Sequence, residues 1–520
     1  MGFETIDYVV LAIYAVALIA LATWVSLRPD EAGRDTSDYF LAGRALPWWA
    51  IGASLIAANI SAEQVIGMSG SGYAIGLAIA SYEWMAAITL VIVGKFFLPV
   101  FIRQRIYTMP QFLELRYDSS VRTVMAVFWL GVFTLINLTS ILWLGALTIE
   151  TVTGLDLFHG LLALAGFALL YSLYGGLRAV AMTDIVQVVM LVAGGLLIAW
   201  IALDAVSGGN GALAGFGTLL EVAPQKFDMI LAPTNPDYQY LPGLSVLLGG
   251  LWIMNLSYWG FNQYIIQRAL AASSLEEAQK GVLFAAFLKL LMPLLVVIPG
   301  IAAFVLLPEL DRPDAAYPTL LAMAPAGAKG LIFAALIAAI VSSLGSMMNS
   351  IATIFTLDLY KPHVGERGEH HFVIVGRIAA ASALVLAVFA ARPLLGDADQ
   401  AFQWLQEFTG FFTPGVVTLF LLGLFWKRAN AAGAFAAAIG SAAFSLGFKI
   451  WLPQVPFMDR VGLVFLACVA VAVGTSLLTG RGASPKAIDL AGTDFGTSRG
   501  FNLGAAVIAA ILVFLYWYWW

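Results

Sequence analysis

Apolar runs of about twenty residues follow one another from end to end of this chain, with only short polar breaks between them. A helix needs ~20 apolar residues to cross the hydrocarbon core of a bilayer, and every backbone polar group must be bonded within the chain there. The pattern therefore predicts an all-α polytopic membrane protein. Over 520 residues it predicts fourteen spans, near 6–27, 49–75, 78–102, 123–149, 159–176, 179–206, 244–267, 277–307, 328–357, 370–391, 401–424, 430–451, 460–479 and 500–519. The first run is led by Glu4 and Asp7 rather than by basic residues and no small-residue cleavage site follows, so it is taken as a span and not as a signal peptide. Only 11% of residues are charged, against ~25% in ordinary soluble domains, which excludes soluble globular and disordered chains.

The same residues exclude several functions. The net charge of −5 offers no basic surface to nucleic acid. Cys468 is the lone cysteine and lies in an apolar run, while His159, His363, His370 and His371 fall in connections or at span ends. No intrachain disulfide can form, and no Cys/His metal centre is expected in the membrane. The spans hold no clear nucleophile–base pair, so the chain is not expected to be an enzyme. Oligomeric state has no signature in the sequence.

Lys/Arg bias sets orientation. With the N-terminus outside, 18 of the 26 basic residues lie in inner loops or at inner span ends, Arg28, Arg34, Arg116, Arg178, Arg268 and Arg481 among them. Both termini are then outside, and Tyr516, Trp517, Tyr518, Trp519 and Trp520 are expected to form an interfacial aromatic anchor. The outer loop 207–243 is expected to be a partly ordered lid, and the polar inner loop 480–499 to be mobile.

Two polar interruptions carry the most information. Asn59, Ser61, Glu63 and Gln64 sit inside an apolar run, where such residues are expensive. A helix broken near Ile60 would free carbonyls for a cation and turn N–H groups toward a ligand; an unbroken helix with a polar face is the competing reading. Five spans later, Gly249 to Gln263 mixes glycines, amides and aromatics. Corresponding interruptions in two halves point to an inverted-repeat transporter with a site at mid-membrane.

Three buried charges add to this: Glu83 in the third span, Asp184 in the sixth and Lys289 in the eighth. Each marks a functional candidate, although Glu83 and Lys289 could form a structural ion pair and Asp184 could cap a helix start. Ser342 and Ser343 place hydroxyls in an apolar helix, where they either bond back to the preceding turn or join the carbonyls freed near Ile60. Neutral oxygens from two helices suit a monovalent cation better than a divalent one.

These motifs, taken in order, resemble the sodium/solute symporter family, most closely its sodium/glucose (galactose) branch. The matching pieces are Ala57 to Gln64, Tyr82-Glu83-Trp84, Tyr174 to Val180 with Thr183-Asp184, Asn255 to Arg268, Lys280 to Lys289, Ser342 to Asn349, and Gln400 to Gln406. The resemblance implies a leucine-transporter-type fold of inverted five-helix repeats with discontinuous helices. It divides the chain into 1–48 (extra helix and inner loop), 49–207 (first repeat), 208–243 (outer loop), 244–424 (second repeat) and 425–520 (three further helices). It implies sodium bound by the carbonyls of Ala57, Ile60 and Ala339 and the hydroxyls of Ser342 and Ser343, with Asp184 nearby. It implies a hexose bound by Gln64, Glu83, Asn255, Lys289 and Gln406, with Asn59 and Ser61 close by, above a gate of Tyr258 hydrogen-bonded to Asn137. Ala86 departs from the serine of the closest bacterial sugar members. The function implied is sodium-coupled hexose symport by alternating access in a bacterial inner membrane. Inositol, proline or pantothenate are the alternative solutes.

Overall fold

The computed structural model describes residues 3–27, 40–172, 176–365, 367–396, 401–480 and 482–520. Arg28, Arg34 and Arg481 of the charge count, and Tyr174, Gly175 and Gln400 of the family-like motifs, lie outside the described residues, as does the Arg178 side chain.

Every predicted span falls on a helix, and these are numbered α1 to α14. They are α1 (Thr5–Leu27), α2a (Trp48–Asn59) with α2b (Glu63–Ala74), α3 (Leu77–Arg103), α4 (Ser119–Thr153), α5 (Leu157–Ser172) and α6 (Gly176–Val206). They continue with α7 (Gly250–Phe261), α8 (Leu275–Leu306), α9 (Ala328–Val364), α10 (Glu369–Leu395), and α11a (Ala401–Gly410) with α11b (Thr413–Phe425). Last come α12 (Ala431–Trp451), α13 (Phe457–Thr479) and α14 (Arg499–Tyr518). Among the described residues, nine helices are long and apolar enough to cross a membrane alone, and twelve spans result if each bent pair counts as one. The other two predicted spans, α1 and α5, have shorter apolar stretches.

The bends sit where polar residues interrupt the apolar runs. α2a and α2b diverge by 62°, and Pro236–Leu248 meets α7 at 77°. The third bend, 47° between α11a and α11b, was not expected; it lies between Gly410 and Pro414, the proline opening the second half-helix. α9 is the central helix, with 89% of its apolar window buried; α14 is peripheral, at 11%.

Small residues let the helices approach closely. A Cβ on Gly52 would meet Phe284 and the Gly281 carbonyl oxygen at 2.5 and 2.7 Å, and one on Gly281 would meet Ile51 at 2.6 Å. This crossing fixes α2a against α8. Seven residues beyond Gly52 is Asn59, and eight beyond Gly281 is Lys289. Those offsets return to the same helix face two turns on, so the glycine contact aims both polar side chains at one point.

α9 is held at both ends. The Asp7 carboxylate of α1 accepts the Gly327 and Gly330 N–H groups, each at 2.8 Å. At the other end Arg122 of α4 donates to Asp358 at 2.9 Å, to Glu114 at 2.5 Å and to the Leu357 carbonyl at 2.5 Å.

Three expectations about loops and termini are corrected. Segment 207–243 contains a helix, Ala212–Val222, that the sequence reading missed. It is docked: the Met229 N–H bonds the Trp519 carbonyl at 2.8 Å, and the Phe227 ring lies 5.1 Å from that of Trp519. The terminal aromatics are accordingly not all an interfacial anchor. Tyr516 donates to Ser81 at 2.9 Å and Trp519 packs inward, while Trp517 and Trp520 remain exposed. Loop 480–499 is pinned rather than loose. Arg103 donates to the Asp489 carbonyl at 3.2 Å and to Thr493 at 2.9 Å, and Lys486 donates to the Glu114 carbonyl at 3.2 Å.

Candidate functional site

The helix break builds the first half of the site. α2a ends at Asn59, and Ile60 turns extended (φ −80°, ψ 96°). Its N–H still reaches Ile56 at 2.8 Å, while the next helical bond runs from Val65 to the Ser61 carbonyl at 3.0 Å. Ser61 secures the restart by accepting the Glu63 N–H at 3.1 Å and donating to Gln64 at 3.0 Å. The carbonyls of Ala57 and Ala58 are thereby released from the ladder. Ser343 of α9 donates into them, at 3.3 Å to Ala57 and 2.9 Å to Ala58. Ala339 lies one turn before Ser343 and is buried. The break and Ser343 thus bring neutral oxygens of two helices together.

Ser342, the neighbouring hydroxyl, donates to Asp184 at 2.5 Å. Asp184 is fully buried and also accepts from Ser54 of α2a. It lies in the third turn of α6, so its alternative role as a helix cap is ruled out. Among the described residues no group of three or more His, Cys, Asp and Glu could hold a metal. A cation here would meet carbonyls and hydroxyls, with one carboxylate behind them. That donor set suits a monovalent ion.

The second half is a cavity of about 970 Å3, part of it open to solvent. Asn59, Gln64, Glu83, Asn137, Asn255, Tyr258, Lys289 and Gln406 all line it. Ser61 does not, being in the wall behind Gln64. Lys289 is the hub. It is buried, donates to both Glu83 and Asn59, and lies 5.0 Å from the centre of the Trp259 ring. A lone buried ammonium would be very costly, so the facing carboxylate and amide are what keep it there. The wall therefore sets a compensated ion pair and amides among aromatic and aliphatic side chains such as Trp129, Phe402 and Val416. Ala86 is also in the wall, so the missing hydroxyl noted in the sequence is missing from this cavity.

One expected contact is corrected. Tyr258 accepts from Asn59 at 2.8 Å and shares a hydrogen bond with Tyr264; Asn137 is not its partner. The end of α2a leaves Asn59 directly across from Tyr258, and two partners nearly saturate a phenol. Asn137 sits instead in a π-helical turn, Phe133–Leu138. Such turns recur at the cavity: Glu63–Gly67 carries Gln64, and Ser257–Phe261 carries Tyr258. Inserting one residue in a helical turn re-aims side chains, and these turns are frequent at functional sites.

Three participants had no assigned role in the sequence reading. Glu63 lines the cavity and accepts from Ser140 and Ser61. Its signal was present, since it belongs to the polar run, and Ser140 lies three residues after Asn137 on the same helix. Tyr264 had no comparable signal. Arg268 was counted as an inner span end, yet it is fully buried and donates to Ser54 and Ser346. It escaped because a charge near a helix end ordinarily reaches water.

Comparison with known proteins follows the geometry closely. Residues 39–440 match the sequence pattern of the sodium:solute symporter family. A sodium/glucose cotransporter of Vibrio parahaemolyticus is 51% identical, over 100% of this chain and 99% of that protein. The mouse sodium/myo-inositol cotransporter 2 is 34% identical, over 84% of this chain and 69% of its own length. Among solved structures, a substrate-bound, outward-open Na+-coupled sialic acid symporter superimposes with a TM-score of 0.80 at 24% identity, covering 93% of this chain and 100% of that one. The fold is of the leucine-transporter type.

Proposed function

The chain belongs to the sodium:solute symporter family, with sodium as its coupling ion, and we propose that it carries a neutral hexose of the galactose or glucose type inward through the cavity around Lys289. The observation that carries this reading is the Glu83–Lys289–Asn59 cluster in the cavity wall. A sugar needs directional donors and acceptors without net charge, and a buried carboxylate, ammonium and amides supply them. A carboxylated solute would meet Glu83 unfavourably, which disfavours proline and pantothenate. An inositol-like polyol is the second reading, favoured by the myo-inositol relative.

In the proposed mechanism Gln64, Glu83, Asn255, Lys289 and Gln406 hold the hydroxyls, with Asn59 and Ser61 setting the shape behind them. Tyr258 is the inner gate. Sodium is held by the carbonyls of Ala57, Ile60 and Ala339 and the hydroxyls of Ser342 and Ser343, and Asp184 eases its inward release. By bridging the α2 break to α9, sodium organises the sugar site, whose Asn59 ends the same half-helix. Residues 49–207 and 244–424 act as the two repeats that rock against each other. With both termini outside, inward sodium movement contributes ~2.3 kcal/mol per charge per 100 mV.

Uptake of labelled galactose, glucose and myo-inositol into proteoliposomes, with and without an inward sodium gradient, tests the proposal. Sodium-dependent accumulation of a hexose, competed by unlabelled hexose, is expected. Accumulation of inositol alone would keep the coupling and replace the substrate. Hexose uptake that never exceeds equilibrium under a sodium gradient would overturn symport.

A further inference from the structure

The two halves of the site are joined through hydrogen bonds that meet at Arg268, with one link passing through the backbone of Tyr264. It lies on the short helix Gln263–Leu270 that follows α7 and is fully buried. Its Nε donates to the Ser54 hydroxyl at 3.0 Å and to the Ser54 carbonyl at 3.2 Å. One terminal nitrogen donates to Ser346 of α9, the other to the Tyr264 carbonyl. On one side, the Ser54 hydroxyl donates to Asp184, which also accepts from Ser342 at 2.5 Å. On the other side, the Tyr264 hydroxyl meets that of Tyr258, which accepts from Asn59 at 2.8 Å, and the Asn59 oxygen accepts from Lys289.

We propose that Arg268 is a positioning residue that couples sodium to sugar by tying the Asp184–Ser342 end of the sodium site to the Tyr258 gate. The inference rests on the two sites being those proposed above. A guanidinium suits this task because its planar fork fixes several directions at once. Here one fork clasps α2a through Ser54 and α9 through Ser346, and holds its own helix through the Tyr264 carbonyl one turn back, beside the hydroxyl that meets Tyr258. When a cation takes a Ser342 oxygen lone pair, the Ser342 O–H can keep donating to Asp184. The hydroxyl is then a stronger donor, and bonds in such a chain polarise one another. The change reaches Arg268 through Ser54, and Arg268 sets where Tyr264 holds Tyr258. A lysine keeps the charge but can point along only one of those directions.

Coupling between two ligands is reciprocal: the factor by which sodium tightens sugar equals the factor by which sugar tightens sodium. That factor is the test. Galactose binding to the purified full-length protein is measured with and without sodium, and sodium binding with and without galactose. Wild type is expected to give one factor well above unity in both directions. In Arg268→Lys each ligand is expected to bind alone while the factor falls at least about tenfold toward unity. Tyr264→Phe removes one hydroxyl, leaves Arg268 in place and should lower the same factor, so the question survives if Arg268→Lys does not fold. The double variant should lose no more than Arg268→Lys alone, because residues on one path are not additive.

If both affinities fall while the factor keeps its wild-type value, Arg268 is structural only and the proposal is overturned. The same holds if Tyr264→Phe keeps the full factor in both directions. A wild-type factor of unity would instead overturn the reading of the two sites.

Discussion

Lys289 shows how far single residues can be read. Two opposite charges in separate apolar runs, Glu83 and Lys289, invite pairing from sequence alone, and the structure pairs them. It also brings in Asn59, whose approach depends on the Gly52–Gly281 crossing and has no linear signature. Removing one member of a buried pair leaves the other uncompensated, at a cost of about 3–5 kcal/mol. Lys289→Met should therefore abolish sugar uptake and lower the thermal midpoint of the purified protein. Adding Glu83→Gln should restore much of the midpoint but not the uptake. Stability that stays low in the double variant would mean that Lys289 matters mainly through Asn59. Arg268 and Tyr264 mark the limit of such reading. Their identity was visible, but the direction of a side chain near a helix end is decided by neighbours from other helices.

Helices were legible where chemistry interrupts hydropathy. The polar run from Asn59 to Gln64 announced the α2 break, and the glycines and amides from Gly249 to Gln263 announced the bend before α7. Gly410 and Pro414 likewise flank the 47° bend between α11a and α11b, but the π-helical turns at Phe133–Leu138 and Ser257–Phe261 gave no such notice. A single inserted residue changes hydrogen-bond register without changing composition, so tertiary packing alone selects it. Packing at this scale is tight. A Cβ on Gly300 of α8 would stand 2.1 Å from the Ser69 carbonyl oxygen of α2b. Gly300→Val should separate these helices and destabilise by about 1–3 kcal/mol, the usual range for overpacking. Thermal unfolding in detergent measures this, and an unchanged midpoint would show that the contact yields freely.

Across the whole molecule, the succession of apolar runs foretold an all-helical fold, of whose fourteen expected spans nine, or twelve with each bent pair as one, are long and apolar enough to cross a membrane among the described residues. The docking of segment 207–243 and of loop 480–499 was not foretold, because polar connections carry no pattern that names their partners. The proposed cation position joins the α2 break to α9, so a change there should be felt by the molecule as a transporter before it is felt as a fold. Ser343→Ala removes one oxygen near Ala57 and Ala58. Losing a contact to a charged group costs about 1.5–3 kcal/mol, so the sodium concentration for half-maximal uptake should rise about tenfold or more. An unchanged sodium dependence would remove Ser343 from the site. Timing follows from another long-range contact. Met229 bonds Trp519, a partner about 290 positions further along the chain, which at ~5–20 residues per second emerges from the ribosome roughly 15–60 s later. Until then segment 207–243 lacks this seat, so its docking is completed only when α14 has been made.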